Sequence, residues 1–244
     1  MTVPVTEIFS SVQGEGLLVG CRQIFIRLYG CNLKCSYCDT VLHEEPDLCR
    51  VETAPDTGIF EYLPNPLGIN DIARVVERLA VGLHHSISLT GGEPLLYSNV
   101  FRELLPALRG SRRGIYLETN GTLPGELARV IDLLDMVAMD FKLPSVSGLP
   151  PLWSKHGRFL EIAATKETYV KVVVAEQTPS REIETAAGLI KNTAPGVPLV
   201  IQPLTAGGTM GISPARLSIL QRQALKILDD VRVIPQTHKL MGVL

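Results

Sequence analysis

The chain predicts an α/β fold, an incomplete TIM-type barrel of about six parallel βα units, and three observations lead there. Apolar, β-rich runs recur along the 244 residues with helical segments between them, the pattern of parallel strands joined by crossover helices. Runs such as Tyr169-Val170-Lys171-Val172-Val173-Val174 are nearly continuous in apolar residues, which implies burial on both faces of the sheet. The chemically unusual residues cluster just after these runs, and the C-terminal ends of barrel strands are where active sites form.

In chain order the expected strands are Gln23 to Leu28, His85 to Thr90, Gly114 to Glu118, Met136 to Asp140, Thr168 to Val174 and Pro198 to Gln202, with a shorter one at Val231 to Ile234. Ile69 to Val81, Val100 to Leu108, Glu126 to Leu134, Arg181 to Asn192 and Ser213 to Leu228 carry apolar residues at spacings of three and four, as core-facing helices do. Asn70 and Ser213 stand where N-caps are expected. Val41 to Leu67 shows no sustained periodicity and is punctuated by prolines, so it reads as a long excursion near the site. One domain spanning residues 1–244 is the simplest division.

Composition excludes several function classes. With 23 Lys+Arg against 25 Asp+Glu the formal charge is -2, which supplies no global pull toward nucleic acid or an acidic membrane. No run reaches the ~18 to 20 apolar residues of a membrane span, and no basic segment followed by an apolar run opens the chain. A cytoplasmic protein acting on a small molecule is expected, with thiols kept reduced.

The most informative segment is Gly30-Cys31-Asn32-Leu33-Lys34-Cys35-Ser36-Tyr37-Cys38-Asp39-Thr40. Its C-x3-C-x2-C spacing offers three thiolates to a four-iron four-sulfur cluster and leaves one iron without a protein ligand. A structural zinc site wants four ligands, usually as two separated pairs, and no second Cys/His pair follows. Cys21 and Cys49 stand alone and read as ordinary thiols. After the second strand comes Gly91-Gly92-Glu93-Pro94, which lacks the ending of a P-loop but lets backbone approach a ligand closely, with Glu93 as an acceptor for an ammonium group.

In type, spacing and order, the cysteine loop and this Gly-Gly-Glu-Pro turn resemble the radical S-adenosylmethionine superfamily. The resemblance implies that Cys31, Cys35 and Cys38 hold the cluster, that Gly91, Gly92 and Glu93 contact the amino group of the cofactor's methionine part, and that Tyr37 lies near its adenine. A narrower resemblance, carried by Phe9-Ser10-Ser11-Val12-Gln13-Gly14-Glu15-Gly16, Phe25-Ile26-Arg27-Leu28 and Cys38-Asp39-Thr40, is to the 7-carboxy-7-deazaguanine synthases. It implies contraction of a carboxylated tetrahydropterin with loss of ammonia, by hydrogen abstraction and radical rearrangement. Val12, Gln13, Gly14 and Glu15 would line the pterin, Arg27 would pair with its carboxylate, Thr90 would add a contact, and Thr40 would bind Mg2+. Asp140, Lys142 and Gln202 fall where that family contacts the cofactor. The same resemblance implies an external electron donor of flavodoxin or ferredoxin type, a homodimer, and a closing segment at residues 229–244 that includes Gln236-Thr237-His238-Lys239.

The residues themselves agree with parts of this. Arg27 lies in an apolar strand, where a guanidinium needs an anionic partner, either a substrate carboxylate or an internal Asp or Glu. Glu118 and Asn120 end a strand and could reach ribose hydroxyls of the cofactor, or simply brace a loop. No residue is singled out as a general acid or base. Two other readings remain open at this point: a glycyl-radical activating enzyme with a protein partner, and an iron-sulfur electron-transfer module, which the vacant fourth ligand disfavours.

Overall fold

The computed structural model describes residues 1–38, 45–206 and 208–243. Ten strands form one sheet: β1 (Val5–Val12), β2 (Arg22–Leu28), β3 (Leu48–Glu52), β4 (Phe60–Pro64), β5 (Ser86–Gly91), β6 (Ile115–Thr119), β7 (Met136–Asp140), β8 (Glu167–Val174), β9 (Leu199–Pro203) and β10 (Val231–Val233). Across the sheet the order is β10-β9-β8-β7-β6-β5-β2-β1-β3-β4. β2 and β5 to β10 are parallel throughout. β1 runs antiparallel to β2 and parallel to β3, and β3 and β4 form an antiparallel hairpin.

The helices are α1 (Ile69–Arg78), α2 (Ser98–Ala107), α3 (Pro124–Ala128), α4 (Pro144–Ser147), α5 (Trp153–Ala163), α6 (Ser180–Thr193), α7 (Pro214–Leu225) and α8 (Thr237–Met241). One large apolar cluster joins residues of the sheet, such as Ile26, Leu89 and Val172, to helix residues such as Ile72, Phe101 and Ile190, all fully buried or nearly so. One face of the parallel strands meets the helices; on the other, a second apolar cluster of Tyr116, Met136, Ala138, Tyr169 and Val200 adjoins the polar site residues, so both faces are covered. Among the described residues no helix is long and apolar enough to cross a membrane.

The expected strands all form, with ends displaced by a residue or so. Five features differ from the sequence reading. β1 is a full strand where the sequence reading places none; its Ile8 sits in the core and its Phe9 stacks on Phe25 across the strand pair at 5.1 Å. Leu48 to Pro64, expected as an irregular excursion, contains the β3–β4 hairpin, stabilised by ladder pairing from Leu48↔Pro64 to Glu52↔Phe60. Helix α5 had no counterpart in the sequence reading, because His156 and Gly157 interrupt the face formed by Trp153, Phe159, Leu160 and Ala163. The helix expected over Glu126 to Leu134 splits into α3 and a single 3-10 turn, Ile131–Leu133, with Val130 leaving helical geometry at φ -133. Ser213 caps α7 by accepting from the Arg216 N–H at 3.3 Å, whereas Asn70 lies inside α1, whose N-cap is Gly68.

Candidate active site

The strand ends and their loops enclose a cavity of ≈ 680 Å3. Of the residues expected to bind cluster, cofactor, substrate or Mg2+, all line it except two: Glu93, which sits behind the wall, and Thr40, which lies outside the described residues together with Asp39.

The cysteine loop forms one wall. Its conformation is fixed by short-range packing: Ser36 donates its N–H to the Ser147 carbonyl at 2.9 Å and its hydroxyl to the Val146 carbonyl at 2.7 Å. The Cys31 sulfur accepts from the Leu33 N–H at 3.4 Å and from the Asn120 amide at 3.8 Å. Burial pushes the Cys31 and Cys35 thiols up from their ordinary range, so metal binding has to displace the protons. Among the described residues no three His, Cys, Asp or Glu side chains are gathered tightly enough for a single metal ion. A polynuclear cluster places its thiolates on different irons, and three soft donors spread along one cavity wall, with N–H groups aimed at a sulfur, suit that chemistry.

The glycine pair has a structural reason that the sequence could not show. Gly91 has φ +125 and a Cβ there would meet the Leu28 carbonyl oxygen at 2.1 Å. A Cβ on Gly92 would fall 2.0 Å from the Gly30 carbonyl oxygen and 3.1 Å from the Cys31 Cβ. The pair is therefore small so that β5 can pass directly under the cysteine loop. Glu93 is fully buried and accepts from Leu95 N–H at 3.1 Å, Thr119 hydroxyl at 2.8 Å and Asn120 N–H at 2.8 Å. Burial raises its carboxyl to about 7, against the pull of those three donors. It braces the Thr119-Asn120 turn, and Asn120 passes the bracing on by donating to Asn32 of the cysteine loop at 2.9 Å.

Charges build the rest of the lining, starting beside the cysteine loop. Lys142 donates to Asp140 at 2.6 Å and stands 5.4 Å over the Tyr37 ring. Lys171 lies 3.4 Å from Asp140 and pairs closely with Glu15, which also accepts from the Gln236 amide at 2.7 Å. Burial works to raise the Glu15 carboxyl, but Lys171, with Gln236 and His238, outweighs it and holds the group at about 2. Burial likewise works against the charged form of Lys171, and Asp140 with Glu15 reverses it, so the ammonium stays charged. Lys171 is the main residue that the sequence reading missed. The signal was present: a single lysine within the apolar run of β8 needs an anionic partner for the same reason as Arg27.

Other residues are committed inward. Gln13 donates to Gln23 and Glu118 at 2.8 and 2.7 Å and accepts from the Glu15 N–H at 3.0 Å, so its side chain organises the wall. Glu118 also accepts from Thr90 at 2.8 Å, and burial raises its carboxyl. Neither Glu118 nor Asn120 is idle, but both retain a face on the cavity. Arg27 donates through Nε to Glu7 at 2.8 Å. Gln202 lines the cavity, and its buried Oε1 has no hydrogen-bond partner among the described residues, an unsatisfied acceptor beside the site. Residues 236–239 lie against the N-terminal loop: Thr237 donates its N–H and hydroxyl to the Gly14 carbonyl at 2.8 and 3.1 Å, and His238 packs so closely that a Cβ on Gly14 would meet it at 2.4 Å.

With this geometry in place, the similarities to known proteins are specific. A model of the radical SAM superfamily matches residues 25–183. The chain is 46% identical over 242 residues to a 7-carboxy-7-deazaguanine synthase of Geobacter sulfurreducens, covering 98% of this chain and 96% of that protein. It is 36% identical over 262 residues to the enzyme of the same name from Methanothermobacter thermautotrophicus, covering 100% and 98%. The crystal structure of QueE from Escherichia coli shares the fold at a TM-score of 0.62 and 20% identity, over 97% of this chain and 94% of that one.

Proposed function

Because the chain belongs to the 7-carboxy-7-deazaguanine synthase family of the radical SAM superfamily, we propose that it is a carbon-nitrogen lyase converting 6-carboxy-5,6,7,8-tetrahydropterin to 7-carboxy-7-deazaguanine with loss of ammonia. The observation that carries this reading is that the cysteine loop and the Arg27 wall open into one cavity. A cofactor anchored at the first would meet a carboxylated substrate anchored at the second.

Cys31, Cys35 and Cys38 would hold the four-iron four-sulfur cluster, and the wall from Tyr37 through Asp140, Lys142 and Gln202 would hold S-adenosylmethionine. When bound, these groups supply one-electron chemistry that begins with reductive cleavage of the sulfonium. The chain's own contribution is placement and sequestration. Arg27 offers a planar fork to the substrate carboxylate, and the stacked Phe9 and Phe25 rings give a flat apolar surface beside it. Glu15, held ionised, and Glu118 face the cavity as acceptors for the guanidine-like edge of a pterin. Gln202 would add a polar contact to the cofactor, and Gln236 to Lys239 lie over the N-terminal loop.

The finer expectations belong to the same reading: the sheet as a partial barrel of about six βα units in a single domain, Mg2+ held through Thr40 with substrate oxygens, a flavodoxin or ferredoxin type donor, a homodimer, and a cytoplasmic location. The direct test is anaerobic. Protein with reconstituted cluster is given dithionite, magnesium, S-adenosylmethionine and 6-carboxytetrahydropterin, and the product is followed by mass spectrometry. Formation of 7-carboxy-7-deazaguanine is the expected result; 5'-deoxyadenosine without it would move the substrate assignment, and absence of both with an intact cluster would overturn the reading.

A further inference from the structure

Arg27 does not stand alone on its strand. In the sheet register Arg50 of β3 pairs with Glu7 of β1, and Glu7 pairs with Arg27 of β2, so three charged side chains lie in one row across adjacent strands. Glu7 accepts from both arginines, from Arg27 Nε at 2.8 Å through one oxygen and from Arg50 Nη1 at 3.0 Å through the other. Arg50 is fixed from its far side by Phe60 of β4, whose ring centroid is 3.5 Å from the guanidinium carbon, a cation–π contact. Glu7 and Arg27 line the cavity, while Arg50 and Phe60 do not.

Two features mark this row as built for the site. The pairing of β1 with β2 shifts register between Val5 and Glu7, a bulge of the kind that re-aims a side chain, and Thr6 and Glu7 both face the cavity as a result. The row also explains a segment that the proposed chemistry leaves unused. The β3–β4 hairpin adds no residue of its described part to the cavity lining, yet it delivers both Arg50 and Phe60 to the back of the row.

We infer that Glu7 and Arg50 are positioning residues for carboxylate recognition: Glu7 holds the Arg27 guanidinium by its Nε edge in the plane that presents it to the substrate carboxylate, and the β3–β4 hairpin, through Arg50 braced on Phe60, holds Glu7. The inference rests on the reading of Arg27 as the carboxylate partner. Two cations on one anion leave the row a net positive charge, so it attracts an anion. A single Arg–Glu pair would be neutral. Orientation is the other half of the effect, since a guanidinium free to rotate forfeits the two-point geometry that distinguishes a carboxylate from a point charge.

The test is a selectivity measured at equilibrium, with cluster-loaded protein and S-adenosylmethionine but no reductant, so that no turnover intervenes. Dissociation constants are compared for 6-carboxytetrahydropterin and for tetrahydropterin lacking the carboxylate, in the parent and in Glu7→Gln, Arg50→Met, Arg50→Lys and Arg27→Met. The expected result is that Glu7→Gln, in which the loss of orientation outweighs the positive charge added to the row, weakens the carboxylated ligand about tenfold and Arg50→Met about threefold, with the other ligand unmoved, as for loss of a charge-assisted hydrogen bond and of its support. Arg50→Lys, which keeps the charge beside Glu7 and over Phe60, should restore most of the selectivity. If Arg27→Met abolishes selectivity while the Glu7 and Arg50 variants keep it, Arg27 needs no positioning and the inference is overturned. Parallel weakening of both ligands would also overturn it, because the row would then be merely structural. If Arg27→Met itself leaves selectivity intact, the carboxylate role of Arg27 falls, and the inference with it.

Discussion

The two walls of the cavity are held together by different forces. On the cysteine side the contacts are backbone packing and neutral hydrogen bonds: glycines pressed under Leu28 to Gly30, Ser36 on the Val146 and Ser147 carbonyls, Asn120 on Asn32. Along the rest of the lining they are ion pairs, Lys142 with Asp140 next to the cysteine loop, Lys171 with Asp140 and Glu15, Arg27 and Arg50 with Glu7. A metal cluster needs rigid donors whose placement is indifferent to the surrounding charge, and the first wall provides that. A substrate bearing a carboxylate and a guanidine-like edge needs matched charges, and those are stable in a partly dry cavity only when they neutralise one another.

The contrast can be broken most severely at the cysteines. Changing Cys31, Cys35 or Cys38 singly to Ala should reduce iron retention and lower S-adenosylmethionine cleavage to background, while thermal unfolding of the metal-free protein stays close to the parent; iron analysis and a melt check both halves. Next in size is Gly92→Ala. The added Cβ meets the Gly30 carbonyl oxygen, which belongs to the backbone and cannot swing aside. The expected cost is a melting point lowered by roughly 10 °C, with iron retention impaired as well, and calorimetry with iron analysis would measure them.

Lys171→Met tests the charged wall. It leaves Glu15 and Asp140 without their shared ammonium, and the loss should be roughly 3 kcal/mol near neutral pH. The pH profile carries the signature. The Glu15 carboxyl is at about 2 in the fold against an ordinary value of 4.5, so its contribution is complete above about 4.5 and disappears as pH falls toward 2. The variant should lose that acid limb, and denaturant melts across pH 2 to 6 would show whether it does.

The smallest effect is expected at His156, which lies behind the cysteine side. It stacks on Phe141 at 4.8 Å, with the Asn120 backbone the main polar influence on its imidazole. Burial lowers its imidazole from 6.5 to about 4, so the parent keeps this part of its stability above pH 6.5 and loses it as pH falls toward 4. His156→Phe preserves the stacking, should alter stability at neutral pH by less than about 1 kcal/mol, and should make the decline between pH 6.5 and 4 shallower. Melts at three pH values would check it; a variant as acid-sensitive as the parent would show that His156 is not the group responsible.

Legibility followed the same division as the walls. The parallel strands, the cysteine loop and the turns after β5 and β6 were readable because their signals are local: apolar runs, a ligand spacing, glycines after a strand. The β1 strand and the β3–β4 hairpin were not, since each depends on partners across the sheet, and neither Pro46 to Pro66 nor Phe9 to Gly16 has a period that announces one. Helix α5 was hidden by His156 and Gly157 on its own face.

The sequence by itself determined the chemistry that single segments carry: three thiols on one loop, and a glycine pair and a polar turn at strand ends. Tertiary structure alone decided which charges meet. Lys171 and Glu15 are 156 residues apart in the chain, Arg50 and Glu7 43 apart, and Gln236 and Glu15 221 apart. A buried charge requires a partner, which a sequence can announce; the identity of that partner is set by strand order and register, which no local pattern contains.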